Sequence, residues 1–256
     1  MICALMIGRA GSRGFPNKNI ANVLGRKLCE YPLLAAKNSL NVDKIYISTD
    51  CPEIKKIGQK HKVEIIDRPK NLATSEALGE DVFKHGYLFI KDLLKIKNKK
   101  IEMMILLFAN APTVTSKMID EGIKILRSDA KVDSAVSTSV YNMWSPLRAR
   151  RVDEKGLLKP FVPFETFGDP KTLNCDRDSQ GEVHFADMSV SVVRPSCLDN
   201  LSSGLLPQKW MGNNIKAIKS WGGCDVDYEW QIPTVEYWLK KNKINYENLK
   251  TTLRQK

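Results

Sequence analysis

Three glycines and three basic side chains lie close together near the start of the chain, where they could bind phosphate. They are Gly8, Gly11, Gly14, Arg9, Arg13 and Lys18. Glycines let backbone N–H groups turn inward and approach a phosphate closely. Three nearby cations neutralise a charge of several units. The pattern favours a polyphosphate site, and the alternative is a glycine-rich turn whose basic side chains are simply solvated.

The spacing of these glycines fits neither of two named phosphate-binding motifs. The dinucleotide fingerprint needs Gly-x-Gly-x-x-Gly, whereas this loop reads Gly-x-x-Gly-x-x-Gly. The Gly-Lys-Ser/Thr ending of the P-loop is missing from the loop. The loop therefore predicts phosphate binding without a dinucleotide or P-loop assignment.

A pair of carboxylates near the other end of the chain could hold a metal ion. Asp225 and Asp227 flank Val226, and in an extended segment residues i and i+2 point to the same side. Two carboxylates placed in this way can share one Mg²⁺, with waters and a substrate phosphate as further ligands. The sequence therefore predicts a Mg²⁺ site, and the alternative is an ordinary turn after Gly222 and Gly223.

Strands and helices that alternate along the chain must position these residues. Apolar runs predict strands at residues 2–7, 44–49, 63–66, 102–108, 132–140, 188–194 and 214–219. Helical spacing predicts helices at residues 32–40, 52–62, 75–95, 116–127 and 232–241, with Ser75 and Ser116 as caps. This order predicts an α/β fold, a Rossmann-like and mostly parallel sheet with helices on both faces. The loops after Ile7, Thr49 and Phe108 then lie on its ligand-binding edge.

The alternation stops at residues 142–185, which contain four prolines and several aromatic side chains such as Trp144 and Phe161. We interpret them as an inserted segment within a nucleotide-binding domain formed by residues 1–141 and 186–256. Exposed aromatic side chains suit a subunit interface or a lid.

The composition restricts the class of protein. Of 256 residues, 43% are hydrophobic and 27% are charged, which is typical of a folded chain rather than a disordered one. The apolar runs are too short to span a bilayer, and the first residues lack a signal-peptide pattern. Six scattered cysteines without a Cys-x-x-Cys pair suit a reducing compartment. A cytoplasmic protein is therefore expected, without a membrane partner.

The formal net charge of +11 suits an anionic partner, which could be a nucleotide, a nucleic acid, an acidic sugar or a membrane surface. Solvated lysine-rich faces such as residues 91–100 are the alternative source of this charge.

Residues 8–19 resemble the opening motif of the CMP-sialate synthetase family, the cytidylyltransferases that make CMP-activated acidic sugars. That motif reads approximately Ala-Arg-x-x-Ser-Lys-Gly-x-Pro-x-Lys-Asn, with Arg13 here in place of its first lysine. The matching residues are Arg9, Ser12, Gly14, Pro16, Lys18 and Asn19. The resemblance implies that Arg9, Arg13 and Lys18 hold the phosphates of CTP and that Asn19 lies near the cytidine.

The similarity continues along the chain. Arg68-Pro69 before Leu72-Ala73 is similar to the family's Arg-Pro-x-x-Leu-Ala, whose arginine helps to recognise the nucleotide. The family's glutamine after the fourth strand is missing, and Asn110 is expected to supply an amide in its place. The Asp-x-Asp pair resembles the family's Mg²⁺ ligands. The expected nucleotide-binding residues are Gly8, Ser12, Asn19, Arg68 and Asn110.

Arg148, Arg150 and Arg177 are candidates for binding the acceptor, because a guanidinium grips a carboxylate or a phosphate in bidentate fashion. A solvated or intersubunit basic cluster is the alternative. In the resembled family the inserted segment exchanges contacts between two subunits, which implies a homodimer.

These features predict a nucleotidyltransferase of the family's fold type that moves CMP from CTP to an acidic, sialate-like sugar and releases pyrophosphate. Catalysis would rest on alignment and charge neutralisation. Alternative acceptors are a Kdo-like sugar, a phosphonate or a phosphate acid. A non-enzymatic nucleic-acid binder ranks lowest, because the first loop offers only Phe15 for base stacking.

Overall fold

The computed structural model describes residues 1–12 and 14–244. Arg13, which is predicted to bind phosphate, lies outside the described residues, as does the end of the predicted domain 186–256.

Eleven strands form in the described chain. In order they are β1 (Ile2–Ile7), β2 (Asn22–Val23), β3 (Arg26–Lys27), β4 (Lys44–Thr49), β5 (Glu64–Asp67), β6 (Met103–Phe108), β7 (Ser134–Val140), β8 (Arg150–Val152), β9 (Leu158–Pro160), β10 (His184–Val193) and β11 (Ile215–Ser220). The α-helices are α1 (Glu30–Asn38), α2 (Pro52–Lys60), α3 (Gly79–Ile96), α4 (Ser116–Ser128), α5 (Pro195–Asp199) and α6 (Ile232–Lys241).

Seven of the strands form one sheet in the order β11-β7-β10-β6-β1-β4-β5. All neighbouring pairs run parallel except the two that involve β10, which is antiparallel to both β6 and β7. The predicted fold class, a mostly parallel sheet with helices, is confirmed.

Alternate side chains of β1 enter two different cores, one on each face of the sheet. Ile2, Ala4 and Met6 pack with α1, α2 and α4. Cys3, Leu5 and Ile7 pack with α3 and α5 on the other face. A strand that is buried on both faces reads as a continuous apolar run, which is why residues 2–7 could be recognised as a strand.

The helix caps differ from those predicted. Helix α3 begins at Gly79 rather than at Ser75, and its N-cap residue Leu78 makes no side-chain bond to the helix. Thr115, rather than Ser116, caps α4 by accepting a hydrogen bond from the Met118 N–H at 3.2 Å. Both predicted serine caps are therefore wrong.

Residues 142–185 contain short 3-10 turns and the small β8–β9 hairpin, whose strands are mostly exposed. The last two residues of this predicted insertion, His184 and Phe185, belong to β10 of the main sheet. No helix within residues 1–12 and 14–244 is long and apolar enough to cross a membrane.

Candidate active site

The phosphate loop, residues 8–19, follows β1 and begins between β4 and β6, the two strands that pair with β1 in parallel. The Gly8 N–H donates to the Ser48 carbonyl at 3.2 Å, and the Ala109 N–H donates to the Ile7 carbonyl at 2.9 Å. A Cβ on Gly8 would lie 2.6 Å from Ala109 Cβ, so only glycine lets the loop leave this close to the end of β6. The loop therefore begins at the carboxyl edge of the sheet, where α/β proteins bind ligands.

Side chains of the phosphate loop hold its own backbone in place. Arg9 Nη1 donates to the carbonyls of Ala10 and Gly11 at 3.1 and 2.8 Å. The buried Asn19 amide donates to the Arg9 carbonyl at 3.0 Å, and the Ala10 N–H donates to Asp50 Oδ1 at 3.1 Å. These hydrogen bonds restrain the described part of the loop, and a restrained backbone lowers the entropic cost of binding a ligand.

One cavity of about 370 Å³ opens beside this loop. Such a volume is within the range of small-molecule sites. Nine of the candidate site residues predicted from the sequence line it: Gly8, Arg9, Ser12, Gly14, Lys18, Asn19, Arg68, Asn110 and Asp227. The structure therefore brings together the phosphate loop, residues predicted to recognise the nucleotide and one carboxylate of the Asp-x-Asp pair. We name this cavity the nucleotide cavity after that prediction.

Arg68 places a buried positive charge in the cavity wall. Its Nη2 donates to the Ser48 carbonyl at 2.6 Å, while its Nε, also buried, has no hydrogen-bond partner among the described residues. Burial lowers the pKa of the Arg68 guanidinium to about 10, with the charge of Asp50 opposing the shift. The side chain stays charged at neutral pH and contributes a positive charge to the cavity wall.

Asp227, the outer residue of the Asp-x-Asp pair, lines the cavity and lies directly against the phosphate loop, where a Cβ on Gly14 would lie 3.0 Å from its carbonyl oxygen. Lys18 Nζ forms an ion pair with Asp227 Oδ1. Asp225 lies deeper, and both its burial and the charge of Asp227 raise the pKa of its carboxyl group. Two carboxylates that repel in this way attract a cation, and in the described structure the Lys18 ammonium supplies one.

The donor set of this pair, two carboxylates, suits a Mg²⁺ ion only where a ligand and waters supply further oxygens. The described residues contain no group of three or more His, Cys, Asp or Glu side chains arranged to hold a metal. Two carboxylates alone would leave most of the octahedron of Mg²⁺ to waters and phosphate oxygens, as is usual for nucleotide enzymes.

Asn110, from the turn after β6, fastens the segment that carries this pair. Its backbone carbonyl accepts from the Val226 N–H at 2.8 Å, and its Nδ2 donates to the Val226 carbonyl at 3.1 Å. Val226 is also buried against Trp238 of α6. The amide predicted to bind nucleotide therefore lines the cavity and also holds the Asp-x-Asp segment.

The candidate acceptor residues lie elsewhere. Arg148 and Arg150 line a second cavity of about 470 Å³ within residues 142–185, where Arg150 lies over the Phe164 ring at 5.2 Å. Arg177 is exposed and pairs with Asp178 at 2.7 Å. None of the three lines the nucleotide cavity of the same chain.

Several residues of the cavity wall were not singled out from the sequence. They are Ala77, Gly79, Val82, Phe108 and Tyr228. Gly79 and Val82 lie in the first turn of α3, so a correct start for that helix would have placed them near the site. Tyr228 directly follows the Asp-x-Asp pair, and its ring packs against the phosphate loop: a Cβ on Gly14 would lie 3.5 Å from Tyr228 Cε1.

Comparisons with known proteins bear on the family and the fold of this chain. Residues 3–140 match the model of the cytidylyltransferase family. The chain is 28% identical over 160 residues to an N-acylneuraminate cytidylyltransferase of Escherichia coli O18:K1:H7, covering 62% of this chain and 36% of the relative. It is 27% identical over 125 residues to a pseudaminic acid cytidylyltransferase of Campylobacter jejuni serotype O:2, covering 48% of this chain and 52% of the relative.

The chain thus spans about half or less of the length of these curated relatives. Among solved structures, it is similar to a CMP:2-keto-3-deoxy-manno-octonic acid synthetase complexed with CTP. The TM-score is 0.63 at 14% identity, over 94% of this chain and 99% of the other. At that identity the likeness shows the shared fold.

Proposed function

This chain belongs to the cytidylyltransferase family, and from that membership we propose that it transfers CMP from CTP to an acidic sugar and releases pyrophosphate. One observation carries the proposal: the same cavity is lined by the basic phosphate loop and by the Asp227 carboxylate of the Asp-x-Asp pair. A polyphosphate needs the first, and a phosphate-bound Mg²⁺ needs the second.

The proposed reaction is a displacement at the α-phosphate of CTP. The acceptor's anomeric hydroxyl oxygen attacks phosphorus, the bond from the α-phosphorus to the bridging oxygen breaks, pyrophosphate leaves, and the hydroxyl proton is released. Arg9 and Lys18 neutralise charge on the phosphates, as would Arg13. Arg68 and Asn19 orient the nucleoside. This is catalysis by alignment and electrostatic stabilisation.

Asp225 and Asp227 are the proposed ligands of Mg²⁺, which when bound polarises the α-phosphate. Lys18 then has a second task, because its ion pair with Asp227 keeps that carboxylate compensated before the nucleotide arrives. A bound triphosphate carries more negative charge than the Asp227 carboxylate, so the Lys18 ammonium can form an ion pair with the triphosphate instead.

The acceptor we propose is a sialate- or nonulosonate-like sugar acid. The relatives in the comparison are named for N-acylneuraminate and pseudaminic acid, and both names denote acids. A cytoplasmic location, expected from the scattered cysteines, belongs to the same proposal.

We expect pyrophosphate release with CTP and a sialate-like acid, at a rate at least about tenfold above that with ATP or GTP. The physical reason is that fixed polar groups such as the Arg68 guanidinium are left unpaired by the wrong base. The measurement is pyrophosphate release from each nucleoside triphosphate against sialate-like sugars, a Kdo-like sugar, phosphonates and phosphate acids. Equal turnover of all triphosphates would contradict the assignment of CTP as the nucleotide. Turnover only with an acceptor other than a sialate-like sugar acid would contradict the proposed acceptor.

We also propose that the protein is a homodimer in which residues 142–185 contact the partner subunit. This segment exposes apolar side chains, among them Trp144 at 71% and Phe161 at 63% of full exposure. Such exposure is typical of an interface. A dimer would also give the arginines at 148 and 150 a way to reach a nucleotide cavity that they do not line in their own chain.

Light scattering is expected to give twice the mass of one chain for the unaltered protein. The double variant Trp144→Ser, Phe161→Ser is expected to shift to the monomer mass, because each substitution removes a large apolar contact. Ile96→Ser is the matched control: Ile96 is 83% exposed but lies at the end of α3. A fully active monomer, or the same shift in the Ile96 variant, would contradict this interface.

A further inference from the structure

The Asp-x-Asp segment, residues 223–227, is fastened to the sheet by polar side chains at its first two positions. The Gly223 N–H donates to Ser139 Oγ at 2.9 Å, and Tyr141 Oη donates to the Gly223 carbonyl at 2.8 Å. Thr113 Oγ1 accepts from the Cys224 N–H at 3.0 Å and donates to the Cys224 carbonyl at 3.1 Å. The direction in which the two carboxylates leave the segment therefore depends on these anchors.

Beneath the Gly223 anchor lies a carboxylate that the proposed chemistry does not use. Asp187 of β10 is only 5% exposed. It accepts hydrogen bonds from Ser137 Oγ, from Ser139 Oγ at 2.7 Å and from the Ser189 N–H at 3.2 Å. No lysine, arginine or histidine in residues 1–12 and 14–244 forms an ion pair with it. The two serine hydroxyls and the Ser189 N–H therefore satisfy this buried carboxyl group, as a buried polar group requires.

The role of this carboxylate follows from the donors and acceptors involved. An ionised carboxylate only accepts, whereas a serine hydroxyl has one proton and can also accept. Ser139 gives its proton to Asp187, so the oxygen of Ser139 presents a lone pair to the Gly223 N–H. The hydrogen bond to Asp187 therefore orients the Ser139 hydroxyl group. The oxygen of that hydroxyl in turn holds the Gly223 N–H in place.

The packing at Gly223 is equally specific. A Cβ built on this residue would overlap Asp187 Oδ2. Only glycine lets the chain pass this close to the carboxylate. The contact therefore sets the distance between the Asp-x-Asp segment and β10. The pairing of β10 with β7 is irregular between Ala186 and Ser191, where Met188 has a φ of 60°. This irregularity brings Asp187 into the sheet face beneath the segment.

We propose that Asp187 and Ser139 are positioning residues that set the orientation of Asp225 and Asp227 through the backbone of Gly223. The expected effect on catalysis rests on the proposed function, in which the two carboxylates share a cation. Because the two carboxylates repel each other, they need a fixed backbone to do so. The positioning of the Gly223 backbone does not depend on the proposed function, because protein atoms alone form these hydrogen bonds.

The test compares two serines of the same strand. Ser139→Ala removes the acceptor for Gly223, whereas Ser137→Ala removes a different donor to Asp187 and an acceptor of the Val190 N–H at 3.0 Å. Hydrogen–deuterium exchange of the protein without ligands is expected to speed up about two- to tenfold at residues 223–227 in Ser139→Ala, the effect of one lost hydrogen bond. In Ser137→Ala these amides should exchange as in the unaltered protein, although its melting temperature falls. Equal exchange in both variants would overturn the proposal.

Catalysis gives the second readout. In Ser139→Ala and Asp187→Asn, turnover or the apparent affinity for Mg²⁺ is expected to fall about 10- to 100-fold, the scale of losing support behind a metal ligand. Unchanged turnover and Mg²⁺ dependence in both would also overturn the proposal. If the unaltered protein does not turn over CTP, the proposed function fails, and the exchange comparison still decides the positioning role.

A milder variant covers the case in which Ser139→Ala does not fold. Tyr141→Phe removes only the hydroxyl that donates to the Gly223 carbonyl, from a half-buried ring. Its residues 223–227 are expected to exchange faster, with a melting temperature that falls only by the effect of one hydrogen bond. Exchange equal to that of the unaltered protein would contradict the role of the Gly223 anchor.

Discussion

Replacing Lys18 by methionine is expected to lower kcat/KM for CTP by about 10²- to 10³-fold, the scale of removing one preorganised electrostatic stabiliser from a site. The Lys18 side chain is only 15% exposed and lines the nucleotide cavity, so solvent screens its charge weakly. Methionine keeps much of the apolar stem and removes the ammonium. The loss should fall mainly on turnover if Lys18 acts on charge that develops during displacement.

The measurement is steady-state pyrophosphate release together with the melting temperature of the same preparation. Lys55→Met is the matched control, because Lys55 forms an ion pair with Asp67 at 2.6 Å and does not line the nucleotide cavity. The control is expected to keep near-normal turnover. A Lys18 variant that folds normally and works within about threefold of the unaltered protein, a difference worth under 1 kcal/mol, would contradict its role at the phosphates.

Replacing Asp227 by asparagine is expected to lower turnover by about 10²-fold, because one of two proposed metal ligands loses its charge. CTP affinity measured without metal should stay the same or rise, since a repulsive charge is gone and Lys18 is released from its ion pair. The folded state should lose little: the Asp227 side chain is 54% exposed, and its backbone N–H donates to Gln231 Oε1 at 2.7 Å whatever the side chain.

The competing interpretation makes the Asp-x-Asp pair a structural turn. It predicts a lower melting temperature and near-normal turnover in the Asp227 variant that folds. The Mg²⁺ dependence of pyrophosphate release and the melting temperature, measured on one preparation, separate the two. Asp67→Asn is the matched control, since it breaks an exposed ion pair in the same way. An unchanged metal requirement in Asp227→Asn would end the case for a metal site.

The strands buried on both faces could be predicted from the sequence because their apolar runs leave no other interpretation. Residues 2–7 and 44–49 were predicted with the bounds that the structure shows, as was α6 at residues 232–241. Strand β10 was predicted to begin at residue 188 and begins at His184. The reason is Asp187, a charged residue whose hydrogen bonds to two serines of β7 allow it to stay inside the sheet. That partnership is not visible in the local sequence.

The residues of the site also differ in how far the local sequence could reveal them. The phosphate loop is local in sequence, so its glycines and cations could be recognised together. The start of α3 could not, because Ser75 resembles a cap whereas the helix begins four residues later with Glu80 and Asp81 in its first turn. Tyr228 joins the cavity only through tertiary packing. The positions of Arg148 and Arg150 away from the cavity were likewise beyond the reach of motif spacing.

The strand order has a consequence for how the chain folds during synthesis. Strands β5, β4, β1 and β6 are complete once residue 108 has been made. Among residues 1–12 and 14–244, strand β7 pairs only with β10 and β11, both of which follow it in the chain, so these partners are missing until residues 184–220 emerge. Until then β6 presents an open edge, the kind of surface that aggregates. The contact between Lys18 and Asp227 then closes a separation of 209 positions, so the nucleotide cavity is among the last parts of the molecule to form.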